Sequence, residues 1–143
     1  IAPEGGVYQA GTLSANPVAM AAGYAALQQL VEPGFYEALD AKTQQFVAGI
    51  QSYCDERDYP VRIARAGSIF WMAFGRERIV SADQIDPASM EKFKHLHHGR
   101  LQKGIYLGPS GYEVGFVSAA HTTADLEGAR YAICEGLDTV FAT

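Results

Sequence analysis

The apolar residues change period at Tyr59-Pro60, and that change limits the folds open to the chain. Before it, Tyr36, Leu39, Thr43, Phe46, Ile50 and Tyr53 recur in steps of three and four, the pattern of one helical face between Phe35 and Glu56. Asp40, Lys42, Gln44 and Gln51 stand opposite and are expected to be solvated. After it, Val61 and Ile63 alternate with Arg62, the pattern of a short strand. Ala66-Gly67 reads as a turn, and the run from Ser68 to Gly75, rich in Ile69, Phe70, Trp71 and Phe74, as a second strand. Two strands this close predict an antiparallel hairpin.

The flanking segments extend this scheme. Residues 1–11 are Gly-rich and unpatterned, a loop. Asn16 can cap a helix that begins at Pro17, a position where the missing N–H costs nothing. That helix is Ala-rich through Leu30, repeats Met20, Tyr24, Leu27 and Val31 at helical spacing, and stops at Pro33-Gly34. Beyond the hairpin, 81–87 is a polar loop and 90–103 a helix with Met90, Phe93, Leu96, His97 and Leu101 inward and Gly104 as its stop. Residues 105–107 and 113–117 read as brief strands around a turn at 108–111. A last helix starts at Thr122, with Asp125 as capping-box partner, and is expected to bury Leu126, Ala129, Ile133, Leu137 and Val140.

This order predicts an α+β fold: a small, mainly antiparallel sheet covered by helices on one face and preceded by a long linking helix. Two parts are expected, a loop and linking helix over 1–34 and a small α+β domain over 35–143.

Composition excludes several function classes. Apolar residues make up 48% and charged residues 19%, an ordinary globular balance. With 11 basic against 16 acidic side chains the net charge is -5, so no basic face for nucleic acid or an anionic membrane is expected. No apolar run approaches the ~18 residues of a membrane span. Cys54 and Cys134 are too few for a disulfide framework and predict buried thiols in a reducing, cytoplasmic compartment. The start, Ile1-Ala2-Pro3-Glu4-Gly5-Gly6, has neither an initiator Met nor a signal-peptide pattern, as in a segment excised from a longer chain.

Two segments carry residues suited to chemistry. Gly11, Thr12 and Ser14 lie just ahead of a helix N-terminus, where hydroxyls, free amides and the helix dipole favour an anion such as phosphate; plain capping is the alternative. Glu113 stands in a Gly-rich turn entering an apolar strand, where burial would suit a proton-handling or amine-recognising carboxylate; an exposed loop glutamate is the alternative. His95 and His98 share a helical face, yet no carboxylate or cysteine completes a ligand set, so no metal site is expected. No Ser-His-Asp, phosphate-loop or dinucleotide pattern occurs.

The same two segments resemble a known family. Tyr8-Gln9-Ala10-Gly11-Thr12-Leu13-Ser14-Ala15-Asn16-Pro17-Val18-Ala19-Met20-Ala21-Ala22-Gly23 is similar to the stretch after the active-site lysine of glutamate-1-semialdehyde 2,1-aminomutases. Gly108-Pro109-Ser110-Gly111-Tyr112-Glu113-Val114-Gly115-Phe116-Val117-Ser118-Ala119-Ala120-His121-Thr122 resembles their C-terminal signature, and Gly67-Ser68-Ile69-Phe70 a strand of their small domain. Ala15 and Val114 stand where the family often has Gly and Ala, without loss of a functional group.

The resemblance implies the C-terminal part of a fold-type I pyridoxal-phosphate enzyme, with 1–34 leading out of its large cofactor domain. Such enzymes are homodimers that convert glutamate-1-semialdehyde to 5-aminolevulinate for tetrapyrrole synthesis. It further implies that Gly11 and Thr12 reach the cofactor phosphate of the neighbouring subunit, and that Glu113 contacts substrate amino groups. The Schiff-base lysine of the family lies upstream of residue 1, and Lys42, Lys92, Lys94 and Lys103 match no such site, so this chain alone is expected to be inactive. The alternatives are an ω-amino transaminase of the same superfamily and a non-catalytic α+β module for dimerisation or partner binding.

Overall fold

The computed structural model describes residues 1–142. The chain forms two compact units, Ile1–Phe35 and the remainder from Tyr36.

The first unit holds α1 (Pro17–Leu30). Asn16 begins it as the sequence predicts, its Oδ1 accepting from the amides of Val18 and Ala19, both at 3.1 Å. No residue of α1 is buried. Met20, Tyr24, Leu27 and Val31, the stripe that marks the helix in sequence, are all more than half exposed.

In the second unit α2 (Phe35–Glu56) leads into a hairpin of β1 (Val61–Ala66) and β2 (Ile69–Phe74). The strands pair antiparallel from Val61 opposite Phe74 to Ala66 opposite Ile69. Only Gly67-Ser68 connects them, with Gly67 at φ +56°, the left-handed conformation that a two-residue turn demands. After a 3₁₀ turn (Ala82–Gln84) come α3 (Ser89–Leu101), β3 (Gly115–Phe116) and α4 (Thr123–Phe141). β3 pairs antiparallel with the start of β2, giving the sheet order β1-β2-β3.

Alternate residues of β2, Phe70, Met72 and Phe74, join Phe46, Ile50 and Cys54 of α2, Phe93 and Leu96 of α3, and Ile133 and Leu137 of α4 in one buried cluster. Phe46 meets Phe70 edge-on, with centroids 5.5 Å apart. The expected α+β fold is therefore present. The capping box of α4 is also present: Thr122 Oγ1 accepts from the Asp125 amide at 3.2 Å, and Asp125 Oδ2 from the Thr122 amide at 2.8 Å. Cys54 and Cys134 are free and buried. Among the described residues no helix is long and apolar enough to cross a membrane.

Several local expectations are corrected. On the polar side of α2 Gln44 is exposed as expected, but its neighbours are tied down: Lys42 Nζ donates to the carbonyls of Ala119 (3.1 Å) and His121 (2.9 Å), and Asp40 pairs with Arg65. Gln51 donates to the Val61 carbonyl at 3.1 Å and accepts from the Ile63 amide at 3.0 Å, covering the outer edge of β1. Tyr36 is exposed.

On α3, Leu101 is exposed and Arg100 is buried in its place, because Arg100 continues the row of Phe93 and Leu96. Its guanidinium can be buried there by donating to the Ala132 carbonyl and to Glu135. Residues 105–107 form no strand, since the Ile105 amide turns back to the Arg100 carbonyl at 3.0 Å. The expected strand over 113–117 shortens to two residues. On α4, Leu126, Ala129 and Val140 are half-buried, while Ala132, Cys134 and Gly136 join Ile133 and Leu137 inside.

Candidate functional site

The residues singled out in the sequence fall in both units. Gly11 and Thr12 belong to the first and Glu113 to the second.

At Gly11 the chain turns tightly, the Ser14 amide donating to the Gly11 carbonyl at 3.0 Å. A Cβ on Gly11 would meet Ser14 Oγ at 2.5 Å, so no larger residue fits this turn unchanged. The helix end behind it is closed to an anion. Pro17 has no N–H, Asn16 takes the Val18 and Ala19 amides, and the Met20 amide donates to the Asn16 carbonyl at 2.9 Å. The free helix amides of the sequence argument are therefore absent, because Asn16 caps all of them. Among the described residues the Thr12 hydroxyl and the Gly11 and Thr12 amides have no hydrogen-bond partner. Residues 1–35 contain no Lys or Arg, so this segment offers an anion neutral donors only.

Glu113 sits on a turn built by close approaches. Its amide donates to the Ser110 carbonyl at 3.0 Å. The indole of Trp71, on β2, donates to the Gly111 carbonyl at 2.7 Å. The Glu113 side chain lies against Gly108, where a Cβ would come 2.3 Å from Oε2 and 2.8 Å from the glutamate Cβ. Glu113 also lines a narrow crevice with Phe70, Met72, Phe93 and Leu107. The residue itself is exposed, so the burial from which its proton-handling role was argued is absent. The turn lies at the surface, and Gly108 presents only a bare Cα.

The four lysines are all engaged in the helical layer. Besides Lys42, Lys94 pairs with Glu91 at 2.5 Å, Lys103 with Glu135, and Lys92 stands 5.3 Å from the centre of the Phe141 ring. Among the described residues no group of His, Cys, Asp or Glu is arranged to hold a metal ion. His97 contacts the rings of Phe93 and Tyr106, and His98 is paired with Gln102.

Sequence reasoning missed the aromatic and charged ties of this unit. Trp71 reads simply as a strand residue, and only its place opposite a Gly-rich turn hints at a hydrogen-bonding task. Tyr53 and Tyr59 both donate to Asp138, at 2.6 and 3.0 Å. The Asp138 hydrogen bond, followed by burial, pushes the Tyr53 phenol up to about 12. Burial pushes the Cys54 thiol up to about 12 as well. An open groove of about 390 Å³, lined in part by Tyr106, Phe116, His121 and Asp125, holds none of the predicted site residues.

No family model matches the chain. In solved structures it matches a β-phenylalanine aminotransferase from Variovorax paradoxus with a TM-score of 0.82 at 24% identity, over 99% of this chain and 33% of that one. A glutamate-1-semialdehyde aminomutase from Pseudomonas aeruginosa PAO1, in complex with PMP, matches with a TM-score of 0.65 at 18% identity, over 74% of this chain and 23% of that one. The fold is thus that of the fold-type I aminotransferases, matched as a C-terminal part.

The sequence narrows this class. A glutamate-1-semialdehyde 2,1-aminomutase of Psychrobacter sp. (strain PRwf-1) is 43% identical over 99% of this chain and 33% of its own length. The chain belongs to the glutamate-1-semialdehyde 2,1-aminomutase family and spans about a third of the length of the relatives it matches.

Proposed function

We propose that this chain is the C-terminal part of a pyridoxal-phosphate aminomutase that converts glutamate-1-semialdehyde to 5-aminolevulinate for tetrapyrrole synthesis, a cytoplasmic homodimer when whole. One observation carries the reading: 43% identity to an aminomutase over 99% of the chain.

The residues present fit the group that this activity requires. The unpartnered Thr12 hydroxyl and the Gly11 and Thr12 amides suit a phosphate. With no Lys or Arg side chain in residues 1–35, the charge of that phosphate calls for basic side chains from outside this segment. The cofactor supplies an electron sink when bound. Glu113, exposed and seated on Gly108, presents its carboxylate at the surface, where it can meet a substrate amino group. The family's reaction also requires a lysine amine. Lys42, Lys92, Lys94 and Lys103 are all occupied in the helical layer, so the 143-residue chain alone is inactive in this reading.

The test uses the full-length enzyme. Thr12→Ala is expected to weaken cofactor retention, and Glu113→Gln to lower turnover about 10²-fold or more, the range of proton-handling groups. Unchanged retention and turnover would remove both assignments. The second reading, a transaminase with a separate keto-acid acceptor, is favoured by the TM-score of 0.82 to an aminotransferase against 0.65 to an aminomutase. Amino transfer that needs an added keto acid would select it.

A further inference from the structure

We propose that Trp71 is the positioning residue of the Glu113 turn, its indole N–H fixing the Gly111 carbonyl so that the Glu113 carboxylate is laid over Gly108. The proposal rests on the functional reading of Glu113 given above.

Three observations carry it. The first is the bond itself: Trp71 Nε1 donates to the Gly111 carbonyl at 2.7 Å and joins residues 40 positions apart. The second is how little else holds the turn. Within it the Glu113 amide reaches Ser110 O at 3.0 Å, and the Tyr112 amide reaches Ser110 Oγ at 3.3 Å, near the limit of a useful bond. Pro109 and Tyr112 are exposed, and Val114, 37% exposed, meets only the surface of β2 beside Trp71. Gly111 is the buried middle of the turn, against Met90 and Phe93. Its carbonyl is thus where one donor from the sheet can set the path of the whole loop.

The third is the seat of the carboxylate. Glu113 rests on Gly108 so closely that a single added carbon would collide with it, at 2.3 Å from Oε2. Residues 108 and 113 lie on either side of Gly111, so releasing that carbonyl changes their spacing and moves the carboxylate. Trp71 is also half-buried and absent from the core cluster that takes its neighbours Phe70 and Met72. Its side chain serves the loop more than the core.

The experiment is a double-mutant cycle in the full-length enzyme, which separates positioning from general stability. Trp71→Phe keeps a ring and removes the donor, and should lower kcat about tenfold, as modest misplacement of a reacting group does. Glu113→Gln should lower it further. The double variant should be no slower than Glu113→Gln alone, because Trp71 acts only through Glu113. Hydrogen exchange should rise in Trp71→Phe at residues 110–114 and stay unchanged in α2 and α4.

A double variant slower by the full product of the two factors, or exchange that rises everywhere, overturns the proposal in favour of a merely structural role. If Glu113→Gln leaves kcat unchanged, the reading of Glu113 fails and the positioning role fails with it. The exchange result then still decides whether the indole holds the turn. If Trp71→Phe does not fold, the same cycle is run with Trp71→benzothienylalanine, which keeps the shape and lacks the N–H.

Discussion

Replacing Ile50 with alanine should cost the second unit about 3–4 kcal/mol. Ile50 lies mid-way along α2, is fully buried, and touches the cluster shared by the helices and the hairpin. Alanine removes three carbons, and at about 0.8 kcal/mol each the lost transfer energy is about 2.4 kcal/mol. A close-packed core relaxes only partly, so the cavity adds about another 1 kcal/mol, within the usual 2–5 kcal/mol for such truncations. A domain of this size is stable by roughly 5–15 kcal/mol, so the variant stays folded but melts about 10–20 °C lower. Urea unfolding followed by fluorescence measures it directly, because Trp71 is the one tryptophan of the chain and lies on β2 of the same unit. The control is Leu27→Ala. Leu27 is 61% exposed on α1, so the change should stay within about 0.5 kcal/mol. A loss below about 1 kcal/mol for Ile50→Ala, or equal losses for both variants, would refute this assignment of the core.

Three further outcomes follow from local geometry. Thr122→Ala removes half of the α4 capping box and should cost about 1 kcal/mol in the same urea assay. The Thr122 hydroxyl, then its amide, hold the Asp125 carboxyl below its ordinary value. Their contribution is therefore present above about pH 4 and lost as pH falls through the lower folded value, and Thr122→Ala should flatten that acid loss. At alkaline pH, burial holds the Cys54 thiol protonated from about 9 up to about 12. The unfolded chain binds fewer protons in that window, so stability should fall as pH rises through it, and less steeply in Cys54→Ala. Gln51→Ala leaves the Ile63 amide without its side-chain partner and the Val61 carbonyl with only the 3.3 Å bond from Arg62, and should cost about 1 kcal/mol, measured by thermal unfolding.

Most of the fold was legible because it is written in local patterns. Asn16-Pro17, the three-and-four spacing of Thr43, Phe46 and Ile50, the alternation around the Gly67 turn and the Thr122-Asp125 pair each act over a few residues. What failed depends on contacts distant in sequence. Arg100 takes the inward place expected of Leu101 because carbonyl and carboxylate partners wait on α4. Lys42 and Gln51 look solvated until the loop before α4 and the edge of β1 are brought to them. The stripe of Met20, Tyr24 and Leu27 has a helical period yet is exposed, and period alone does not reveal burial.

The candidate site divides in the same way. Motif resemblance picked out Gly11, Thr12 and Glu113. The physical reasons first attached to them, free helix amides and a buried carboxylate, met a side-chain cap and a surface turn instead.

The aminomutase assignment is tested most directly by giving the full-length enzyme glutamate-1-semialdehyde with no keto acid present and assaying for 5-aminolevulinate. The product is expected to form, at a rate that falls about 10²-fold or more in Glu113→Gln. No product until a keto acid is added would contradict the assignment and place the chain among the transaminases.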